Sequence, residues 1–225
     1  MVFDLDGTLI DTAADIHAVL AEVLLEAGHE APDLAAVRAM IGDGARVLIE
    51  RAVAHVGARA EADDLLRRFT QRYAEVPCRH SRPYTGAGAL LAELRARGVR
   101  LGLCTNKPQS PTLALLAVLG LADAFDAVVG GDVLPGVRKP DPAHLTAVLS
   151  ALGVTPTRAV MVGDSRNDLL AARGAGMPCV LVSFGYTAIP AHELGAEAVV
   201  ADLADLPEHV FRLTSRPSAS VAAET

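Results

Sequence analysis

Apolar residues recur along the chain in two different rhythms. Up to about Val76 the spacing is helical: Ile16, Val19, Leu20, Val23 and Leu24 fall at i, i+3, i+4, i+7 and i+8, one buried face of an amphipathic helix. Gly28 and Pro32 close that helix, and the pattern predicts further helices at about 33–40, 44–56 and 60–75, with Gly42, Gly44 and Gly57 between them. Roughly sixty consecutive residues there contain no convincing strand. On either side of this stretch, short apolar runs alternate with helical ones. Strands are predicted at 1–3, 99–105, 127–129, 159–162, 179–182 and 198–200, and helices at about 87–97, 109–119, 142–152, 167–174 and 203–213.

Strands alternating with helices at this rhythm imply a parallel sheet covered on both faces, a Rossmann-like α/β core. Strands buried on both sides should be almost continuously apolar, as Ala159-Val160-Met161-Val162 and Cys179-Val180-Leu181-Val182 are. The pattern predicts a core from 1–12 and 82–213, interrupted after its first strand by an all-helical insertion over 13–81. Residues 214–225 are small and polar and read as a disordered tail. No internal repeat is visible.

Ligands of open parallel sheets bind at the carboxyl ends of the strands, so the polar residues that follow each strand are the candidates for chemistry. The first strand runs into Asp4 and Asp6, the second into Thr105-Asn106-Lys107, and the strand at 159–162 into Gly163-Asp164, with Asp168 four residues on. Lys139, just before a helix start in Arg138-Lys139-Pro140-Asp141-Pro142, belongs to a loop on the same rim. Asp4, Asp6 and Asp164 would repel one another unless a hard divalent cation held them, and an all-oxygen donor set points to Mg2+. Lys139 and the Thr105 hydroxyl then offer charge and a donor to an anion against the metal, and a phosphate meets that description. A carboxylate beside both can attack phosphorus, while a second one two residues along can protonate the leaving oxygen and later take a proton from water.

Asp4-Leu5-Asp6-Gly7-Thr8-Leu9 with Asp11, then Thr105, Lys139 and Gly163-Asp164-x-x-x-Asp168, resemble in order the four motifs of the haloacid dehalogenase superfamily, over about residues 1–213. The resemblance implies that Asp4 is the nucleophile and Asp6 the general acid/base. It implies Mg2+ bound by Asp4, the backbone carbonyl of Asp6 and Asp164, the phosphoryl group held by Thr105, Asn106 and Lys139, and Asp168 supporting the metal indirectly. The stretch 13–81 would be the family's helical cap. Thr105-Asn106-Lys107-Pro108, Lys139-Pro140-Asp141-Pro142, Gly163-Asp164-Ser165-Arg166-Asn167-Asp168 and the cap segment Ile41-Gly42-Asp43-Gly44-Ala45 are similar to the phosphoglycolate phosphatase group. On that likeness the substrate is 2-phosphoglycolate, the turn at Gly42 faces its non-phosphate end, and Arg46 is a candidate partner for its carboxylate. One departure is that only three residues precede Asp4, where family members commonly carry several. That leaves either a short first strand or a true start upstream of Met1.

Composition narrows the partners. With 20 basic against 27 acidic side chains the formal charge is -7, which argues against coating nucleic acid or an anionic membrane. No apolar run approaches the ~20 residues of a membrane span, and no signal-like segment opens the chain, so the expected setting is the cytoplasm, as a monomer or homodimer acting on a small phosphorylated metabolite. Cys78, Cys104 and Cys179 fit neither a disulfide framework nor a zinc site, and the seven histidines show no ligand spacing. Asp11 reads equally well as a cap of the following helix. Lys107 and Asn167 read as loop-solvating residues or as groups near the substrate.

Among the alternatives, a haloacid dehalogenase has no need of Asp6, and a phosphonate-cleaving relative would need a lysine within 13–80, where there is none. A phosphatase for a sugar phosphate or pyrophosphate and a sugar phosphomutase stay open. So do two non-enzymes, a phosphoacceptor domain and a silent binding protein. One oddity stands out: of the 20 basic residues only Lys107 and Lys139 are lysines, and Asn106 and Asn167 are the only asparagines. All four fall on the predicted rim.

Overall fold

The computed structural model describes residues 1–57, 62–76 and 78–214. The expected tail lies outside the described residues, apart from Thr214, which ends a helix. The chain begins with β1 (Val2–Phe3), β2 (Ile10–Asp11) and four helices, α1 (Ala13–Glu26), α2 (Leu34–Arg38), α3 (Ala45–His55) and α4 (Ala62–Glu75). Then follow β3 (Arg82–Pro83), α5 (Ala87–Ala96), β4 (Gly102–Cys104), α6 (Gln109–Val118), β5 (Ala127–Val129) and α7 (Pro142–Leu152). The chain continues through β6 (Met161–Gly163), α8 (Arg166–Gly174), β7 (Cys179–Val182), β8 (Ala198–Val200) and α9 (Leu206–Thr214).

Six strands form one sheet in the order β5-β4-β1-β6-β7-β8, and every pairing in it is parallel. β1 is central: Val2 pairs with both Gly102 and Met161, and Phe3 with both Leu103 and Val162. Alternate side chains serve opposite faces. Phe3, Leu103, Val162, Val180 and Val182 pack with residues of α5, α6 and α9, whereas Val2, Cys104, Met161, Cys179 and Leu181 pack with α7 and α8. Both faces are thereby covered, which is why these strands tolerate no polar residue until they reach the rim. A fully buried Leu or Phe of this kind is worth about 1.5–3 kcal/mol over its exposed state.

Helices α1 to α4 form a separate packed unit, its centre made by Leu20, Leu24, Val37, Ile49, Leu65 and Phe69. The sequence pattern misses one feature at its base. The two connections between this unit and the sheet pair with each other as a short antiparallel ribbon, Ile10 opposite Pro83 and Asp11 opposite Arg82. Two-residue strands carry no periodic signal, so the hydrophobic pattern cannot reveal them. Asp15, buried at the start of α1, reinforces the same junction by accepting from the N–H groups of Arg79, His80 and Ser81 at 3.1, 2.8 and 2.8 Å and from the Ser81 hydroxyl at 2.6 Å.

Candidate active site

Asp4 leaves the carboxyl end of β1, and its N–H donates to Val162 O at 2.9 Å, so the sheet ladder fixes where the carboxylate emerges. Lys139 Nζ lies 2.8 Å from Asp4 Oδ1 and 2.7 Å from Asp168 Oδ1. Asp168 stands in the first turn of α8, where its Oδ2 accepts from the Ser165 hydroxyl and N–H at 2.7 and 3.0 Å, and from the Asp164 N–H at 3.3 Å. This capping box starts the helix and orients the carboxylate at once. Asp164 follows β6, accepting from the Thr8 hydroxyl at 3.3 Å and from the Tyr186 N–H at 2.7 Å. Gly7, at φ +86°, passes so close that a Cβ there would lie 2.5 Å from Asp164 Oδ2.

The electrostatics of this cluster are unbalanced. Burial pushes Asp4 up to about 7; Lys139 draws it down, and Asp168 and Asp6 push it up. Burial first, then the charges of Asp168 and Asp4, raise Asp164 well above the carboxylate range. Burial also works against the Lys139 ammonium, but Asp168 and Asp4 outweigh it and keep it protonated. Asp4, Asp164 and Asp168 each bring a carboxylate oxygen within 4.8 Å of the others, enough to hold a metal ion. Asp168 is tied to the Lys139 ammonium through one oxygen and to Ser165 through the other, whereas Asp4 meets Lys139 through one oxygen only and Asp164 accepts from neutral donors alone, so Asp4 and Asp164 are the better placed pair for a cation. A hard divalent cation fits an all-oxygen set in which one ammonium faces three buried acids.

Asp6 is held differently. Its Oδ1 accepts from the Thr12 hydroxyl at 2.7 Å, and Lys107 Nζ stands 3.2 and 3.3 Å from its two oxygens. Lys107 also donates to the Tyr73 hydroxyl at 2.9 Å, with its ammonium 4.5 Å from the centre of that ring. Thr105 is buried, and its hydroxyl oxygen accepts from the Lys107 N–H at 3.2 Å. The Asn106 amide group donates to Lys139 O and Gly42 O at 2.9 Å each, leaving its own Oδ1 buried without a partner among the described residues. Asn167 donates to Asp43 Oδ1 at 2.6 Å. All four rare residues therefore converge where the sheet rim meets the helical unit.

A small cavity of about 70 Å³ lies between the two, with Asp4, Asp6, Thr105 and Lys107 on the rim side and Gly42, Leu48, Phe69 and Tyr73 on the other. Arg46, expected to face a substrate carboxylate there, does not line it. Its guanidinium extends along the outside of the helical unit to Asp63, at 2.9 Å. Two residues that sequence reasoning passed over take part instead. Tyr73 is one. The other is Tyr186, whose N–H holds Asp164 while its hydroxyl donates to Asp11 Oδ1 at 2.7 Å and accepts from the Thr12 and Ala13 N–H groups. Asp11 does accept from the Ala13 N–H at 3.2 Å, as a helix cap would, but it also pairs with Arg38 of α2 at 2.8 Å.

Residues 1–182 match the family model described as haloacid dehalogenase-like hydrolase. The chain is 48% identical over 213 residues to a phosphoglycolate phosphatase of Rhodospirillum rubrum, covering 92% of this chain and 88% of that one. Among solved structures it is similar to a predicted phosphoglycolate phosphatase from Haemophilus somnus, with a TM-score of 0.87 at 31% identity over 92% of this chain and 95% of that one. It is also similar to CbbY from Rhodobacter sphaeroides in complex with phosphate, with a TM-score of 0.78 at 27% identity over 91% and 94% of the two chains. No helix among the described residues is long and apolar enough to cross a membrane.

Proposed function

Since the chain belongs to the haloacid dehalogenase-like hydrolase family, we propose that it is a Mg2+-dependent phosphatase of a small phosphomonoester, 2-phosphoglycolate, working through an aspartyl-phosphate on Asp4. The observation that carries this reading is Lys139, buried between Asp4 and Asp168 with Asp164 alongside. An Asp4 oxygen attacks phosphorus in line, and the bond from phosphorus to the ester oxygen breaks as the new one forms. Asp6, protonated, delivers its proton to the departing alkoxide and so releases glycolate. Water then attacks the phosphorus of the acyl-phosphate, giving a proton to the Asp6 carboxylate and freeing Asp4 and inorganic phosphate. Lys139 and the Thr105 hydroxyl stabilise the charge on the transferring phosphoryl oxygens. Asp4, Asp164 and the Asp6 carbonyl would hold Mg2+, which supplies further charge neutralisation at those oxygens.

In this reading 1–12 with 82–213 is the catalytic core and 13–81 a cap that keeps bulk water from the acyl-phosphate. The substrate assignment draws on the names of the relatives, and the cavity of about 70 Å³ is where the substrate's non-phosphate end would sit. The test is phosphate release from 2-phosphoglycolate, sugar phosphates and pyrophosphate, with Mg2+ and with chelator. The expected result is Mg2+-dependent turnover with the highest kcat/KM on 2-phosphoglycolate, abolished by Asp4→Asn. A clear preference for another phosphate would overturn the substrate, and turnover unaffected by Asp4→Asn would overturn the mechanism.

A further inference from the structure

Lys107 ends in a point charge on a flexible four-carbon stem, and such a group finds a fixed position only where something holds its far end. Here two groups do. The core supplies the Asp6 carboxylate, 3.2 and 3.3 Å away, and α4 supplies the Tyr73 hydroxyl at 2.9 Å. Tyr73 is itself immobilised, since only 5% of it is exposed and its ring stacks on Phe69 with centroids 5.5 Å apart and planes 20° from parallel. Phe69 and Tyr73 both belong to the packed centre of the helical unit. The root of Lys107 is fixed from the core, through its N–H on Thr105 and its carbonyl, which accepts from the Gly131 N–H at 2.9 Å. The ammonium thus stands at the junction of the two halves, contacting Asp6 of its own half and Tyr73 of the other.

We propose that Lys107 and Tyr73 are a positioning pair for Asp6, aiming its carboxyl group at the leaving oxygen only when the helical unit sits on the sheet rim. This rests on the reading of Asp6 as the general acid/base. Without the pair, the Asp6 carboxylate keeps among the described residues only the Thr12 hydroxyl bond and is free to turn about its own side-chain torsions. An arginine at 107 would bring a broad planar fork to a buried place where a compact ammonium now meets the Asp6 carboxylate and the Tyr73 hydroxyl.

A leaving group that needs no proton separates this role from a structural one. The measurement is kcat/KM, which covers steps up to release of the alcohol, on 2-phosphoglycolate and on p-nitrophenyl phosphate. Lys107→Met should lower it about 100-fold and Tyr73→Phe about 10-fold on the alkyl ester, and both by less than about 3-fold on the aryl ester. In an Asp6→Asn background neither change should cost anything further, because a residue that acts through Asp6 has nothing left to position. Equal losses on the two esters, or losses that persist in Asp6→Asn, would overturn the pair. Tyr73→Phe removes a single hydroxyl, so it keeps the test decisive should Lys107→Met fail to fold. Wild-type enzyme releasing phosphate from neither ester would instead sink the phosphatase reading, and the pair with it.

Discussion

The two lysines of this chain are both buried and each lies between two partners, yet they do opposite things for the molecule. Lys139 joins Asp4 to Asp168, and all three are carried by the core, on a strand end, a loop and the first turn of α8. Lys107 joins Asp6 to Tyr73, one partner from the core and one from the helical unit. The proposed phosphoryl end thus takes Asp4, Lys139 and Asp168 from the core alone. The proposed leaving-group end also draws on the helical unit, through Tyr73. Preorganisation by the sheet suits charge stabilisation, which needs fixed groups, and a shared contact suits an acid that should act only in a closed site.

The comparison is broken most severely at Lys139. Lys139→Met should lower kcat/KM at least about 1,000-fold on every phosphate ester, aryl included, since it removes a fixed cation from the transferring group. It also leaves Asp4 and Asp168 buried without their cation, a change of the kind that destabilises by about 3–5 kcal/mol; a thermal melt reads that loss. Lys139→Arg should recover little, because the ammonium stands within 2.8 Å of both acids in a space that leaves 2% of it exposed. If Lys107→Met proved as damaging as Lys139→Met on an aryl phosphate, the two ends would not be separate devices.

A smaller effect should come from Asp15, which anchors the base of the helical unit. Burial alone would raise its pKa, but the hydrogen bonds from Ser81, His80 and Arg79 outweigh it and hold the carboxyl below the ordinary range. Its folded pKa therefore lies below the unfolded value of ~3.9. The stabilisation is fully present above that value and is lost as pH falls through the folded pKa. Asp15→Asn should cost about 2 kcal/mol at neutral pH, read from urea midpoints, and the difference from wild type should narrow as pH falls below the unfolded value of ~3.9 and through the folded pKa. A cost that did not change with pH would mean that the ionised form is not what the three N–H groups select.

The placement of the residues proposed for the phosphoryl end was legible in the sequence, for a physical reason. Three of its residues directly follow an apolar run of strand length, so chain position and rim position coincide: Asp4 after β1, Thr105 after β4, Asp164 after β6. Lys139 and Asp168 sit at helix starts on the same rim. The other end had no such key. Tyr73 is one aromatic on the buried stripe of an amphipathic helix, and nothing local separates a core tyrosine from one that turns its hydroxyl toward a lysine 34 residues away. Tyr186 acts through both its N–H and its hydroxyl, and a backbone donor leaves no mark in residue type. The ribbon of β2 and β3 is too short for any period. The scarcity of lysine and asparagine did carry information, since all four residues mark the junction, but it could not say what each one touches.

The smallest effect expected separates the cavity from the surface beside it. Arg46 opens α3 next to the turn at Gly42, which made it a natural partner for an anionic substrate end, but its guanidinium reaches Asp63 instead, in a pair whose side chains are 52% and 87% exposed. Its pKa is raised first by that hydrogen bond and then by the charge of Asp63. A solvated pair of this kind contributes little and is screened by salt. Arg46→Ala should therefore leave both KM and kcat for 2-phosphoglycolate within about twofold of wild type, since an exposed pair of this sort has little to lose. A tenfold rise in KM with kcat unchanged would mean that the side chain leaves Asp63 when substrate binds and contributes ground-state binding. The specificity of the leaving-group end would then rest on Arg46 as well as on the rim.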